Sequence, residues 1–506
     1  MARYKVVDRS PRFLPVVLDA QLIPGSFEYA LDYLVDHELD LSALHARYNN
    51  DETGAPAYDP AVLLKIVLLA YSRGLISSRS IERACRENVL FMAISGDSAP
   101  QFTTLAKFVR ELSAQIQDLF TQVLLTCDAQ GLIGRHMFAI DGVKLPSNAS
   151  KERSGSFAEL AHQADRMERA VLKMIATHQS RDTASTDEDD TALNTRRLAQ
   201  LQNEAARTRD FLARNAERKG ATGRILKSNV TDNDSAKMAT SKGVIQGYTA
   251  VAAVDSSHQV IVAAVAHGSG SEQSTLLPTV QLTNAVRNPH TLITADAGYH
   301  SEANLQGLHD QGIPALVADN LMRKRDERFA TQDKYKELPD PLANKGAPDK
   351  ATKLFGPKDF RVDAVTNTCI CPAGQHLYSN GSHCVTHGRS SHKFTGTQGG
   401  CGPCHLRSQC LRHPDRTPVR QVSFFARNQA SPHQFTERMK QAIDSPRGRK
   451  IYSQRMATVE PVFANLRHNK QLNRFTLRGQ AKVNTQWHLY CLVHNVEKLA
   501  RHGYAQ

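Results

Sequence analysis

The chain has 506 residues, of which 41% are hydrophobic and 22% charged, with a formal net charge of +13. That length suits about two to four domains, and the ordinary apolar fraction excludes a globally disordered chain. The positive surplus points to an anionic partner, most often nucleic acid, although a soluble protein can be basic without binding a polyanion.

The first residues, MARYKVVDRSPRFLPVV, contain no apolar stretch followed by a small-residue cleavage site. No secretory signal is read there. The longest apolar run, AVLLKIVLLAY, includes Lys65 and is too short to span a bilayer. The expectation is a cytoplasmic protein with no membrane partner.

Residues 1–125 read as helical. YDPAVLLKIVLLAYSRGL opens with Asp59 as N-cap and Pro60 at the first helical position. SSRSIERACREN follows, capped by Ser77 or Ser78. TTLAKFVRELSAQIQDLFTQVL reads as one further helix, with Leu105, Phe108, Leu112, Ile116 and Phe120 at helical spacing. Short helices with tight joints fit a helix-turn-helix reader of DNA, and they fit a plain helical packing domain equally well.

Next, Met137–Ile140 reads as a short strand ending at Asp141, with a turn at Gly142. Residues 151–222 carry two amphipathic patterns. One runs through Phe157, Leu160, Ala164, Met167, Val171, Met174 and His178, the other through Leu198, Leu201, Ala205 and Leu212. A helical hairpin joined by the acidic run SRDTASTDEDDT fits both.

Strand character returns with QGYTAVAAVD and QVIVAAVAH, which read as neighbours. EQSTLLPTVQLTNAV is helical, TLITAD a strand ending at Asp296, SEANLQGLHDQG a helix capped by Ser301, and IPALVA a strand. The fold class is therefore α/β with a mixed sheet. Ligands of such sheets sit beyond the carboxyl ends of the strands, where Asp141 and Asp296 are expected. His267, in AVAHGSGSEQ with Glu272, could face the same place. A turn or packing role is commoner, and neither residue is counted in the site.

From residue 319 to about 440 the chain is charged and cysteine-rich. Six of the nine cysteines fall between Cys369 and Cys410. Clustering without an export signal favours metal over disulfides. CGPC is a C-x-x-C half-site for tetrahedral zinc. The expected ligands are Cys371, Cys401, Cys404 and Cys410, with Cys369 a rival for the first place and Cys384 and His405 in reserve. Unligated, reduced cysteines in a loop are the competing reading. The last helix, TQWHLYCLVHNVEKLA, reads as amphipathic, with Trp487 in the core.

Two strand-end carboxylates need a third to become more than turn residues. Glu460, in YSQRMATVEPVFANLRHNK, sits among Tyr452, Arg455, Phe463, Arg467, His468 and Lys470. Pro461 after it predicts that Glu460 begins or kinks a helix. Three converging carboxylates make a hard-oxygen site for Mg²⁺ or Mn²⁺. Two ions about 3.5–4 Å apart there would serve phosphodiester chemistry. Lys144 either contacts a phosphate or is an ordinary exposed lysine.

AIDGVK, ITADAGYHS and YSQRMATVEPVFANLR resemble the three catalytic blocks of DDE-type insertion-sequence transposases, and the closest branch is insertion-sequence family eleven-eighty-two and its relatives. SKGVIQGYTAVAAVD and the N-terminal helical block share the resemblance. Val143 stands where that family commonly has threonine, and Arg467 where lysine is common, which keeps the charge but changes its geometry. The resemblance implies a ribonuclease-H-like catalytic core with Asp141, Asp296 and Glu460 as catalytic, Mg²⁺-binding acids. It implies DNA or phosphate contacts from Tyr452, Arg455 and Arg467, a structural zinc knuckle, and a homodimer on double-stranded DNA that pairs element ends and target.

The expected organisation is an N-terminal helical domain at 1–125 and a catalytic core made of 126–150, 223–318 and 440–506. A hairpin insertion occupies 151–222 and a basic Cys-rich insertion 319–439. The expected activity is metal-dependent strand cleavage and strand transfer. Its rivals are a non-catalytic DNA-binding derivative and a nuclease that cuts without joining.

Overall fold

The computed structural model describes residues 15–48, 56–181, 188–220, 223, 225–240, 243–329, 354–363, 367–386, 389–425 and 434–504. The middle of the acidic run (182–187) and the charged stretch 330–340 lie outside the described residues. The chain forms two compact units, Met1–Met322 with Phe435–Gln506, and Arg323–Gln434. No helix among the described residues is long and apolar enough to cross a membrane.

The first unit is built on a six-stranded sheet. Its strands are β1 (Met137–Pro146), β2 (Ala236–Thr240), β3 (Gly243–Asp255), β4 (Ile261–His267), β5 (Leu292–Ala295) and β6 (Ala315–Val317). The order is β2-β3-β1-β5-β6, with β4 following β2 along the edge of β3 opposite β1. β3 is antiparallel to β1 and to β4, whereas β1, β5 and β6 run parallel. β3 is buried continuously from Gln246 to Asp255, as a central strand covered on both faces must be. This mixed order is consistent with the ribonuclease-H-like core that the resemblance implies.

β1 is longer than its sequence suggests. It does not turn at Gly142 but runs on to Pro146, because β3 keeps pairing with it from Asp255 down to Gly247. A glycine in a strand reads locally as a break, and only the partner strand shows otherwise.

Helices pack this sheet into one core. Asp59 caps the helix Pro60–Ser72 by accepting from the Ala61 amide at 2.7 Å, and Pro60 takes its first position. The single helix expected over 103–124 is instead two, Phe102–Glu111 and Ile116–Ala129, separated by a 3₁₀ turn at Leu112–Ala114. The last helix, Gln480–Lys498, is buried nearly all round rather than amphipathic. It lies between the sheet and the N-terminal helices, with Trp487 Nε1 donating to Val251 O at 3.1 Å and Tyr490 packed on Tyr71 at 4.9 Å.

The polar residues of this helix serve the free edge of β4. Asn495 accepts from Ile261 N at 2.8 Å and donates to Ile261 O at 2.9 Å. Asn484 accepts from Ala266 N at 2.7 Å, and Gln480 accepts from Gly268 N at 3.2 Å. Side-chain amides thus replace a missing strand and satisfy backbone groups that would otherwise be buried unpaired.

Residues Phe157–Arg181 and Glu188–Arg214 are two long antiparallel helices. Phe157 meets Phe211 at their base, and Arg209 bridges to Asp165 and Glu168. The second unit holds a five-stranded antiparallel sheet around Phe360, Cys369, Leu377, Phe394 and Val422. Its short, polar strands carry no clear alternation, so they are not foreseen from sequence.

His494 is buried on the last helix. It accepts from Asn465 Nδ2 at 3.1 Å through Nδ1, which leaves Nε2 to donate to Gln259 O at 2.8 Å. Burial pushes its pKa down to about 4, against about 6.5 for a free histidine. Between those values the unfolded chain binds more protons. Stability should therefore fall as pH drops from about 6.5 to 4, by up to about 1.4 kcal/mol per pH unit from this group. Thermal midpoints at pH 7, 6 and 5 should fall less steeply with acid in His494→Gln, and identical slopes would contradict this.

Candidate active site

The register between β1 and β5 places the two expected aspartates side by side. Ile140 pairs with Ala295 across parallel strands, so Asp141 and Asp296 are the next residue of each. Adjacent strands lie about 4.8 Å apart. β5 ends there, so β1 loses its neighbour on that edge at Asp141. Asp296 starts the 3₁₀ turn Ala297–Tyr299 and accepts from the Gly298 amide at 2.9 Å. Asp141 accepts from the Gly142 amide at 2.8 Å.

Asp141 is half-buried. Burial pushes its carboxyl up, Arg455 and the Gly142 amide pull it down, and the charge of Asp296 adds to the rise; the net direction is upward. Arg455 Nη2 lies 3.0 Å from Asp141 Oδ2 and donates to Ile140 O at 3.3 Å.

A third carboxylate comes from Glu272, in the turn after β4. Its pKa is raised by burial and then by the charge of Asp296, with Lys144 opposing and Asp141 adding. Lys144 Nζ stands 3.9 Å from Glu272 Oε1. Gly298 keeps the space between the acids open, since a Cβ there would lie 2.6 Å from Glu272 Oε2 and 3.1 Å from Asp296 Oδ1. Asn304 holds the two turns together, donating to Gln273 O at 2.7 Å and to Tyr299 O at 2.8 Å. The fully buried Tyr299 points its hydroxyl at the same acids and toward Thr275, without a well-formed hydrogen bond.

Glu460 lies elsewhere. It does not begin a helix: Pro446–Ala464 continues through it, with Pro461 inside. A proline there removes the donor that would reach Ala457 O. Gln259 Nε2 supplies that missing bond at 3.1 Å, so the helix continues. Arg455 and Tyr452 face the strands, Tyr452 donating to Ala295 O at 3.4 Å. Glu460 is five residues past Arg455, about 140° around the helix, and is exposed. Arg467 is exposed on nearly the same face as Glu460.

The structure thus gathers Asp141, Asp296, Lys144, Tyr452 and Arg455, adds Glu272, and leaves Glu460 and Arg467 on the outer face of their helix. Arg455 is buried against a carboxylate and a strand carbonyl, where it positions Asp141. Glu272 is weighed in the sequence reading but not counted in the site, and Asn304 and Tyr299 are absent from it. The available signal was strand direction: β4 is antiparallel to β3, and β3 to β1, so β4 ends at the same edge of the sheet as Asp141 and Asp296.

Three acids facing one space are a hard-oxygen donor set, which suits a divalent cation of the Mg²⁺ type. In the second unit Cys371, Cys401, Cys404 and Cys410 all line one small cavity. Burial raises the Cys410 thiol, Arg420 opposes, and the other three cysteines add to the rise. Cys369 is buried in the small core instead. The thiols suit zinc in type. As the side chains stand, no group of three or more His, Cys, Asp or Glu residues among those described is arranged to hold a metal ion.

Comparison with known families gives three matches. The description Transposase DDE domain matches residues 216–368 and, as a second family, residues 370–500. The description Transposase domain (DUF772) matches residues 16–111. Asp296 and Glu272 fall within the first, Glu460 within the second, and Asp141 outside all three. No curated protein and no solved structure matches the chain.

The Arg455–Asp141 pair can be measured on its own. Arg455→Met leaves a half-buried carboxylate without its cation and should lower unfolding stability by about 1–3 kcal/mol. Asp141→Asn in the same background should recover part of that loss. A double variant whose loss equals the sum of the two single losses would show that the pair is not coupled.

Proposed function

Because the chain belongs to the DDE insertion-sequence transposases, we propose that it catalyses metal-dependent DNA strand cleavage and strand transfer of an insertion sequence. The branch it resembles is insertion-sequence family eleven-eighty-two, with a ribonuclease-H-like core. The observation that carries the reading is the pairing of Ile140 with Ala295, which sets two aspartates side by side at one edge of the sheet. A third carboxylate, Glu272, turns onto them. A non-catalytic DNA-binding derivative would have no need to gather like charges in a half-buried place.

Asp141, Asp296 and a glutamate would hold Mg²⁺ or Mn²⁺, and the ion supplies an activated attacking oxygen and charge neutralisation at the leaving one. Motif order assigns the glutamate to Glu460, and geometry assigns it to Glu272. Both enter the proposal, Glu272 as the acid already facing the aspartates and Glu460 as the acid of the third block. Arg455 holds Asp141 in place. Tyr452 ties the helix to the carbonyl just before Asp296. Lys144, partly exposed beside Glu272, is set to meet a phosphate, and Arg467 offers a further cation to the DNA backbone. Most of the protein's work on this reading is orientation and electrostatic preorganisation.

Cys371, Cys401, Cys404 and Cys410 would hold a structural zinc in the second unit. The partner is double-stranded DNA, both element ends and target, in the nucleoid-associated cytoplasm. A homodimer would hold the two ends together.

Purified protein incubated with its own flanking DNA and Mg²⁺ should yield nicks and joined strands on denaturing gels. Asp296→Asn should lose at least about a thousandfold in rate, while DNA binding stays close to wild type. Glu272→Gln and Glu460→Gln should each lose at least about a hundredfold. Cleavage by Asp296→Asn at the wild-type rate would overturn the site. Wild-type cleavage by Glu272→Gln alone would remove that residue and leave the motif set standing. Nicks without joined products would favour a nuclease.

A further inference from the structure

A second feature lies at the far end of β1. A cleft of about 920 Å³ opens beside Pro146 and is lined by Arg153, Arg207, Arg214, Arg474 and Arg478. Among the described residues the only acid in its lining is Asp210, which is already paired with Arg214 at 2.7 Å. Arg153 is paired with Glu204. Arg207, Arg474 and Arg478 are exposed and form no ion pair among the described residues. Three uncompensated guanidinium groups on one concave surface make a site for a polyanion.

The cleft is assembled from separate segments. Arg207, Phe211 and Arg214 follow helical i, i+4, i+7 spacing on Glu188–Arg214, so they share one face. Asn148 fixes the opposite wall. It accepts from Arg474 Nη2 at 2.7 Å through its side chain and from Arg478 Nε at 2.8 Å through its carbonyl, and it donates to Thr476 O at 3.1 Å. Phe475 N donates to Pro146 O at 2.9 Å, which pins the same loop to the end of β1. The two exposed arginines of this loop are therefore held in place by a neutral residue.

We infer that this cleft binds the phosphate backbone of duplex DNA, with Arg207, Arg474 and Arg478 as the main contacts. The inference rests on the transposase reading and gives the DNA a path across the protein. Pro146 lies five residues beyond Asp141 on one strand, about 16 Å away. One DNA strand carries a phosphate about every 3.4 Å. A duplex with a phosphodiester at the acids would then meet the cleft about five phosphates along. Contacts of this kind position the duplex and carry no base information.

The test uses the full-length chain and a labelled 30-base-pair duplex of arbitrary sequence. Anisotropy titrations are run over a salt series. Each phosphate contact contributes about 0.9 to the slope of log affinity against log salt. Arg207→Ala/Arg474→Ala/Arg478→Ala should flatten that slope by about 2–3 and weaken binding at least tenfold at 0.1 M salt. The variant Arg169→Ala/Lys173→Ala/Arg501→Ala loses equal charge outside the cleft and should keep the wild-type slope. Far-ultraviolet circular dichroism checks that both are folded. A cleft variant with the slope of the wild type, or with the same change as the charge control, overturns the cleft and leaves the transposase reading intact. A wild-type chain with no duplex binding overturns both.

Discussion

One backbone register underlies the site. Because Ile140 pairs with Ala295, two strands deliver their next residues, both aspartates, to neighbouring positions. That arrangement is unfavourable by itself, since two like charges in a partly buried place repel each other. Arg455 offsets it from one side, at 3.0 Å from Asp141, and Lys144 balances Glu272 from the other. Two cations against three carboxylates leave the place net acidic. A divalent cation would complete the balance, and phosphate would follow it.

The register can be held only because the sheet around it is held. β3 binds β1 over nine consecutive residue pairs and fixes its direction past Asp141. β4 binds β3, and the free edge of β4 is closed by amide side chains of Gln480–Lys498. The same helix packs on the N-terminal helices. A chain segment from the C-terminus therefore joins the N-terminal helices to the end of the sheet that carries the two aspartates, within one core. The helix Pro446–Ala464 adds the last constraint by touching the strands just before each aspartate, Tyr452 at Ala295 and Arg455 at Ile140.

Much of this was legible from residues in order. Asp59 and Pro60 mark a helix start by local chemistry alone. Apolar runs ending in Asp-Gly and Asp-Ala-Gly marked both acids, because a carboxylate at a strand end is a local pattern. What was not legible depended on distant partners. The extension of β1 past Gly142 comes from β3, more than a hundred residues later. The continuation of the helix through Pro461 relies on Gln259, which fills the bond that proline cannot make. Glu272 looked like a loop residue because its place follows from the direction of β4, and direction is a property of the sheet, not of the six residues around it. The near-complete burial of the last helix reflects two layers closing on it, which a single periodicity cannot report.

The central claim is that Asp141 and Asp296 share one divalent cation. Iron-directed cleavage tests it most directly. Fe²⁺ is bound in place of Mg²⁺, ascorbate and peroxide are added, and the cut positions in the polypeptide are mapped by mass spectrometry. The account predicts cuts clustered beside Asp141, Glu272 and Asp296, which excess Mg²⁺ suppresses and Asp296→Asn abolishes. Cuts beside only one of the aspartates, or a pattern unchanged in Asp296→Asn, would contradict it.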